Sequence, residues 1–178
     1  MFRERMVALL ALCLVSCSGS GADNQAYCSP AVFTGTPSRP FGSGSQPLTC
    51  RTLELQTSGG SLQLAVAAKE ADREHGLMFV HDLPPDVGIL FVFVGESRHS
   101  FWMKNTLIPL DMLFIDAFGK VTSVAENVPA STESTPENRV ATRDGFGRYV
   151  IELAAGSAKR LHLQSGSKLA IPFVDARE

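Results

Sequence analysis

Thr52-Leu53-Glu54-Leu55-Gln56, followed by Ser58-Gly59-Gly60 and then Leu62-Gln63-Leu64-Ala65-Val66, is the stretch that decides the fold. Apolar and polar residues alternate on both sides of a Gly-Gly turn. Successive strand side chains point to opposite faces, so this is a hairpin with one buried face. Working forward, Lys69 to His75 is rich in helix formers and stops at Gly76, which predicts a short helix. Pro84-Pro85-Asp86 breaks the chain. Ile89 to Val94 is apolar on both faces and reads as a central strand covered on both sides. Ser100–Lys104, Leu110–Asp116 and Val121–Val128 read as further strands, the last two joined through Gly119. Residues 129–147 are polar and rich in Ser, Thr, Pro and Gly, and read as a long surface loop. Tyr149-Val150-Ile151-Glu152-Leu153 returns to strand. Gly156–Leu163 reads as a second short helix with Ser157 at its N-cap, and Leu169–Val174 as a closing strand. About eight strands and about two short helices give a mainly β (α+β) fold. The pattern favours a compact two-sheet sandwich or partly closed barrel over a parallel α/β sheet.

Working backward, the chain opens with Arg3 and Arg5 around a short start, then an uncharged apolar run of ten residues, Met6 to Val15. A bilayer span needs about 20 residues, whereas a signal-peptide core has this length. The run ends in Leu14-Val15-Ser16-Cys17, which resembles a bacterial lipobox. That resemblance implies a leader, residues 1–16, cut before Cys17, and a lipid on Cys17. The other reading is an ordinary secretory signal with an incidental cysteine. The expected address is the cell envelope, lipid-anchored and periplasm-facing. Ser18 stands where an Asp commonly signals inner-membrane retention, so the outer membrane is favoured if the source is Gram-negative.

Between Cys17 and the hairpin lies a tether, residues 17–50. Of the 33 residues from Ser18 to Cys50, 15 are Gly, Ser or Pro and only Asp23 and Arg39 are charged, too little apolar area to offset ordering entropy. Cys28 and Cys50 are not at metal-site spacing. Outside the cytoplasm they are disulfide candidates, and a bridge would be worth about 3 kcal/mol. Residues 51–178 form the single folded domain expected. The formal net charge is −2, and the leader takes two Arg and one Glu with it. A mildly acidic chain without a Lys/Arg cluster argues against a nucleic-acid partner, whose binding rests on neutralising phosphates.

One ordered set of motifs carries a family resemblance. Gly76-Leu77-Met78-Phe79, Leu83-Pro84 and Gly88-Ile89-Leu90-Phe91-Val92-Phe93 lead into Phe101-Trp102-Met103-Lys104-Asn105-Thr106. Pro109-Leu110-Asp111 and Phe114-Ile115-Asp116 follow. From about Thr52 to Pro172 the chain resembles the domain of unknown function 192, small bacterial and archaeal proteins. The resemblance implies a mainly β, sandwich- or jelly-roll-like fold, and it implies no catalytic residues. Many members carry Arg directly after the Gly-Leu-Met-aromatic run, where this chain has Val80.

Among the residues themselves, Asp111 shares a strand face with Leu113 and Ile115, so a carboxylate there needs a partner. One reading is a polar cluster of Lys104, Asn105 and Asp111 beside a pocket floored by Trp102. The other is that Asn105 and Asp111 cap a tight crossover around Pro109. Trp102 reads either as a ligand platform, for instance against a sugar ring, or as a core residue. Arg73 could reach an anionic ligand or pair with Asp72 or Glu70. His75, His81, His99 and His162 have no metal-ligand spacing, and no nucleophile elbow or phosphate-cradling loop occurs. No cofactor and no metal are expected. The sequence thus reads as a non-catalytic envelope module for a small molecule, a glycan or an envelope protein. The alternative is an envelope hydrolase with Asp111 as acid or base and Lys104 as its electrostatic aid.

Overall fold

In the computed structural model, residues 51–172, 174 and 176 are described. The leader, the tether, Cys17, Cys28 and Cys50 lie outside the described residues. β1 (Thr52–Thr57) and β2 (Gly60–Ala67) form the hairpin read from the sequence, with Leu53 opposite Leu64 and Leu55 opposite Leu62. Gly59 is required at its turn because a Cβ there would meet the backbone of Leu161. α1 (Glu70–His75) follows and is closed by Gly76 at φ 50°. The chain then crosses to β3 (Val87–Trp102), which runs parallel to β2. β4 (Leu110–Ile115) and β5 (Val121–Val128) form a second antiparallel pair around the Asp116 turn. There Asp116 Oδ1 accepts the N–H groups of Phe118 and Lys120 at 2.9 and 2.8 Å. β6 (Thr142–Ala154) inserts between β3 and β4, antiparallel to both, and α2 (Ser157–Arg160) ends the ordered elements.

The result is one mixed sheet of six strands in the order β1-β2-β3-β6-β4-β5, not closed into a barrel. The fold is mainly β with two short helices, as expected. The strands differ from those expected in three places. Ile89–Val94 and Ser100–Lys104 are two halves of the single 16-residue β3, and Lys104 lies beyond its end. The described residues of Leu169–Val174 are not in a strand. Their neighbourhood makes one bridge, Lys120 to Lys168, while Leu169 and Val174 are buried as side chains. Finally, 142–147 is not loop but the first half of β6.

The sheet carries an apolar layer on each face. Leu62, Leu64, Leu90, Val92, Leu113, Ile115, Ile151 and Leu153 form one, closed by Ala158, Leu161 and Leu163 at and after α2. Ile89, Phe91, Leu110, Met112, Phe114 and Val150 form the other, closed by Leu77, Val80, Leu83 and Met103. Central strands covered on both sides explain the unbroken apolar runs of β3 and β4.

β3 does not run straight. Its register with β6 goes from Val92–Tyr149 to Ser97–Gly147, so residues 93–96 bulge opposite Arg148 alone. Ten extended residues would separate Phe91 from Phe101 by about 33 Å, yet the two rings meet edge-to-face at 4.9 Å. The bulge therefore folds the distal ribbon, 97–102 paired with 142–147, back over the second apolar layer.

Candidate functional site

The folded-back ribbon has an inner and an outer face. On the inner face His99 and Phe101 lie opposite Gly145 and Arg143, and Phe101 meets Phe114 edge-to-face at 6.0 Å. On the outer face the cross-strand pairs are Arg98–Phe146, Ser100–Asp144 and Trp102–Thr142. All six residues of these pairs are exposed. Trp102 and Phe146 remain 46% and 47% exposed, which marks them as surface rings rather than core. The Lys104 ammonium sits 4.8 Å from the Trp102 ring centroid, in cation–π geometry. Of the residues singled out from the sequence, Trp102 and Lys104 are thus brought together.

Asp111 is elsewhere. It is fully buried on the Leu113/Ile115 face. Its Oδ1 accepts the Asn127 N–H at 2.9 Å, and its Oδ2 accepts the Ala158 N–H at 2.9 Å. The first bond holds Asn127 in the left-handed region (φ 51°). The second caps the start of α2, the task expected of Ser157. Instead the N-cap is Gly156, at φ 86°, and the Ser157 Oγ is buried without a partner. A carboxylate that spends both oxygens on backbone donors is a structural clamp. Neither Lys104 nor Asn105 is a partner of Asp111, so the cluster of Lys104, Asn105 and Asp111 is not assembled. Asn105, at φ 53°, contributes its carbonyl, which accepts the Phe79 N–H at 2.9 Å.

Arg73 turns inward. Its guanidinium donates to the carbonyls of Ala68 and Val92 and lies 5.4 Å from the Phe93 ring centroid. His99 stacks on Phe93 at 3.6 Å and 21°, and its Nε2 lies 3.1 Å from the Gly147 carbonyl. Burial lowers the pKa of His99; the Gly147 bond opposes this and the Arg73 charge adds to it. Burial also lowers that of His75, against the pull of Asp72. These groups lock α1 and the bulge together. Among the described residues no group of three or more His, Cys, Asp or Glu could hold a metal ion.

The family model for DUF192, described as an uncharacterised ACR, matches residues 53–171. The chain belongs to the DUF192 family. A solved Sinorhizobium meliloti 1021 protein described as a "putative transcription regulator" is 35% identical, with a TM-score of 0.59; the match covers 70% of this chain and 96% of that one. A protein of unknown function from Novosphingobium aromaticivorans DSM 12444 is 26% identical, with a TM-score of 0.55, over 71% and 90% of the two chains. No curated protein matches.

Within this DUF192 domain one further residue stands out that the sequence reading passed over. Glu152 lies mid-strand on β6, opposite Ile89 on one side and Met112 on the other, both fully buried. It therefore faces the second apolar layer. It is 5% exposed, and its carboxyl has no hydrogen-bond or ion-pair partner among the described residues. Burial alone raises its pKa to about 8. Val80 belongs to that same layer. The signal was present in Tyr149-Val150-Ile151-Glu152-Leu153: a lone acid in a strand buried on both faces.

Proposed function

We propose that the chain is a lipid-anchored, non-catalytic binding module of the bacterial envelope that holds an elongated glycan on the outer face of the β3–β6 ribbon. The observation that carries this reading is the solvent-open ladder with an aromatic ring at each end. Trp102 and Phe146 lie on the same face in pairs four residues apart along β3, or about 14 Å at strand rise. Rings of this kind offer flat apolar platforms to the faces of sugar rings. Ser100, Asp144 and Thr142 between them supply hydroxyl and carboxylate groups that answer sugar hydroxyls. The envelope address rests on the lipobox-like Leu14–Cys17, and the outer-membrane preference on Ser18.

The hydrolase reading draws less support, since Asp111 is buried and accepts from the backbone N–H groups of Asn127 and Ala158. The Sinorhizobium relative's description points to transcription, but an acidic chain without a basic cluster gives that reading no support.

Titration of the full chain with soluble envelope-glycan fragments tests the proposal. Trp102→Ala and Phe146→Ala should each weaken binding about tenfold, or about 1.4 kcal/mol, with the melting temperature unchanged. Affinity that survives both substitutions would overturn the ribbon as the binding face.

A further inference from the structure

Among the described residues, the two most exposed large apolar side chains are Phe118, at 79%, and Val94, at 77%. A single exposed apolar residue needs no explanation. These two sit on neighbouring tips. Val94 lies in the β3 bulge and Phe118 in the Asp116 turn, and Glu96 Oε1 accepts the Ala117 N–H at 2.6 Å, which joins bulge to turn. The Phe118 tip is pinned rather than loose. Asp116 Oδ1 accepts the Phe118 N–H, and the Gly119 carbonyl accepts the Leu169 N–H at 2.8 Å. A Cβ on Gly119 would run into the Leu169 carbonyl. The fold thus holds an aromatic ring out in solvent.

The same turn sets two like charges against each other. Lys120 and Lys168 are directly opposite in an antiparallel bridge. Opposed like charges repel. Both residues are exposed, and neither ammonium has an acidic partner among the described residues. The acids of the two tips, Glu96 and Asp116, each spend an oxygen on N–H groups of the turn. An anion from outside the domain relieves the repulsion between the lysines.

Both tips lie at one end of the sheet. Val92, Tyr149 and Ile115 are aligned across β3, β6 and β4, just before the bulge and the turn. At that end too, Ala67 closes β2 beside Phe91, and β1 begins with Thr52 beside Ala65. The Arg51 carbonyl accepts the Val66 N–H at 3.0 Å. Everything before Arg51, Cys17 included, therefore joins the domain at the end that carries Val94 and Phe118. The β1–β2 turn is at the opposite end, about 23 Å away along β2.

We propose that this end of the domain is a reversible seat on a phospholipid surface. Val94 and Phe118 enter the boundary between headgroups and acyl chains, while Lys120 and Lys168 meet headgroup phosphates. Apolar burial and attraction to lipid phosphate add in interfacial binding. Lysine stems lie along apolar surface with the ammonium at the phosphates. An anchor on Cys17 brings this end, rather than the Ser58–Gly60 end, toward the bilayer. Two side chains bury little area, so the domain alternates between seated and free on its tether. The seat shares the membrane address with the proposed function but uses neither ring of the ribbon, so its failure leaves the glycan reading untouched.

The test places the full chain in nanodiscs of phosphatidylethanolamine and phosphatidylglycerol, with a nitroxide near the glycerol end of the acyl chain. Amides of Val94–Glu96 and Ala117–Lys120 should be broadened several times more than those of Ser58–Gly60. Val94→Ser combined with Phe118→Ser should bring the tip amides down to the Ser58–Gly60 level, with the melting temperature unchanged. Lys120→Gln combined with Lys168→Gln should weaken the broadening, as should added salt in the parent. Broadening in the parent that is absent, even over the domain or centred on Ser58–Gly60 would overturn the seat, and this arm needs no variant. Tip broadening that survives the double Ser variant would overturn it as well. Tip resonances that move with protein concentration in lipid-free detergent would assign the patch to a second copy of the chain instead.

Discussion

Among the described residues two carboxylates are buried, Asp111 and Glu152, and their environments assign them opposite tasks. Asp111 answers two backbone N–H groups and so fixes a left-handed Asn127 and the first turn of α2. Asp111→Asn keeps the shape but turns an amide NH2 toward one of those donors. It should lower stability by about 1–3 kcal/mol, seen as a lower denaturant midpoint with unchanged slope. Glu152 answers nothing, so its charge is the liability. Its folded pKa is raised, so the unfolded chain gives up its proton first as pH rises. Its contribution is most favourable below about pH 4.5 and is lost through about pH 8. Over that window the parent should lose up to about 1.4 kcal/mol per pH unit from this group. Glu152→Gln should remove that slope and be more stable than the parent at pH 7. Urea melts of both proteins from pH 4.5 to pH 9 decide it, and parallel stability curves would show that Glu152 finds a partner after all.

At the scale of elements, the β3–β6 pairing explains both what was legible and what was not. Alternation in Thr52–Gln56 and Leu62–Val66 gave the hairpin because one face is core and the other is solvent, so side-chain period equals burial period. The Gly76 helix stop and the Gly119 turn were legible because both glycines take positive φ. The first half of β6 was missed because Gly145 and Gly147 look like loop residues. They are strand residues whose side chains have been removed by necessity: a Cβ at 145 would run into the Phe114 ring, and one at 147 into the Ile115 carbonyl. The same fold-back hid the ribbon site, because nothing local in Arg98–Trp102 announces that its even-numbered face ends in solvent. Trp102 and Lys104 are legible as candidates from their own residue types, while Phe146 lies in a stretch with loop composition and Glu152 in one with ordinary strand composition. Gly145→Ala should therefore cost about 1–3 kcal/mol through overpacking. It should loosen the distal ribbon before the proximal sheet, as faster exchange of residues 97–102 than of 88–92. Equal loosening of both halves would show that the ribbon is not a separate unit.

At the scale of the whole molecule, the question is how a domain that starts at Thr52 is held near its ligand. No described helix is long and apolar enough to cross a membrane. Attachment in the proposed function rests on Cys17, at the end of the lipobox-like Leu14–Cys17. Cys17→Ser should release the protein from the membrane fraction or leave it with an uncleaved leader. The tether prediction is sharper, because it separates reach from folding. Among the described residues, both apolar layers of the sheet are built from residues after Arg51, and Ser18–Thr49 is poor in core-forming residues. Deleting Ser18–Thr49 should thus leave the unfolding midpoint of a reduced sample nearly unchanged, since any Cys28–Cys50 bridge is then absent from both proteins. In cells the same deletion should leave the domain anchored but pressed against the lipid surface. Its co-sedimentation with envelope glycan should fall, while affinity for soluble fragments in detergent stays the same. A large loss of stability in the reduced sample would mean that the segment packs as part of the fold. Unchanged glycan capture in cells would mean that the ribbon's ligand lies at the membrane itself.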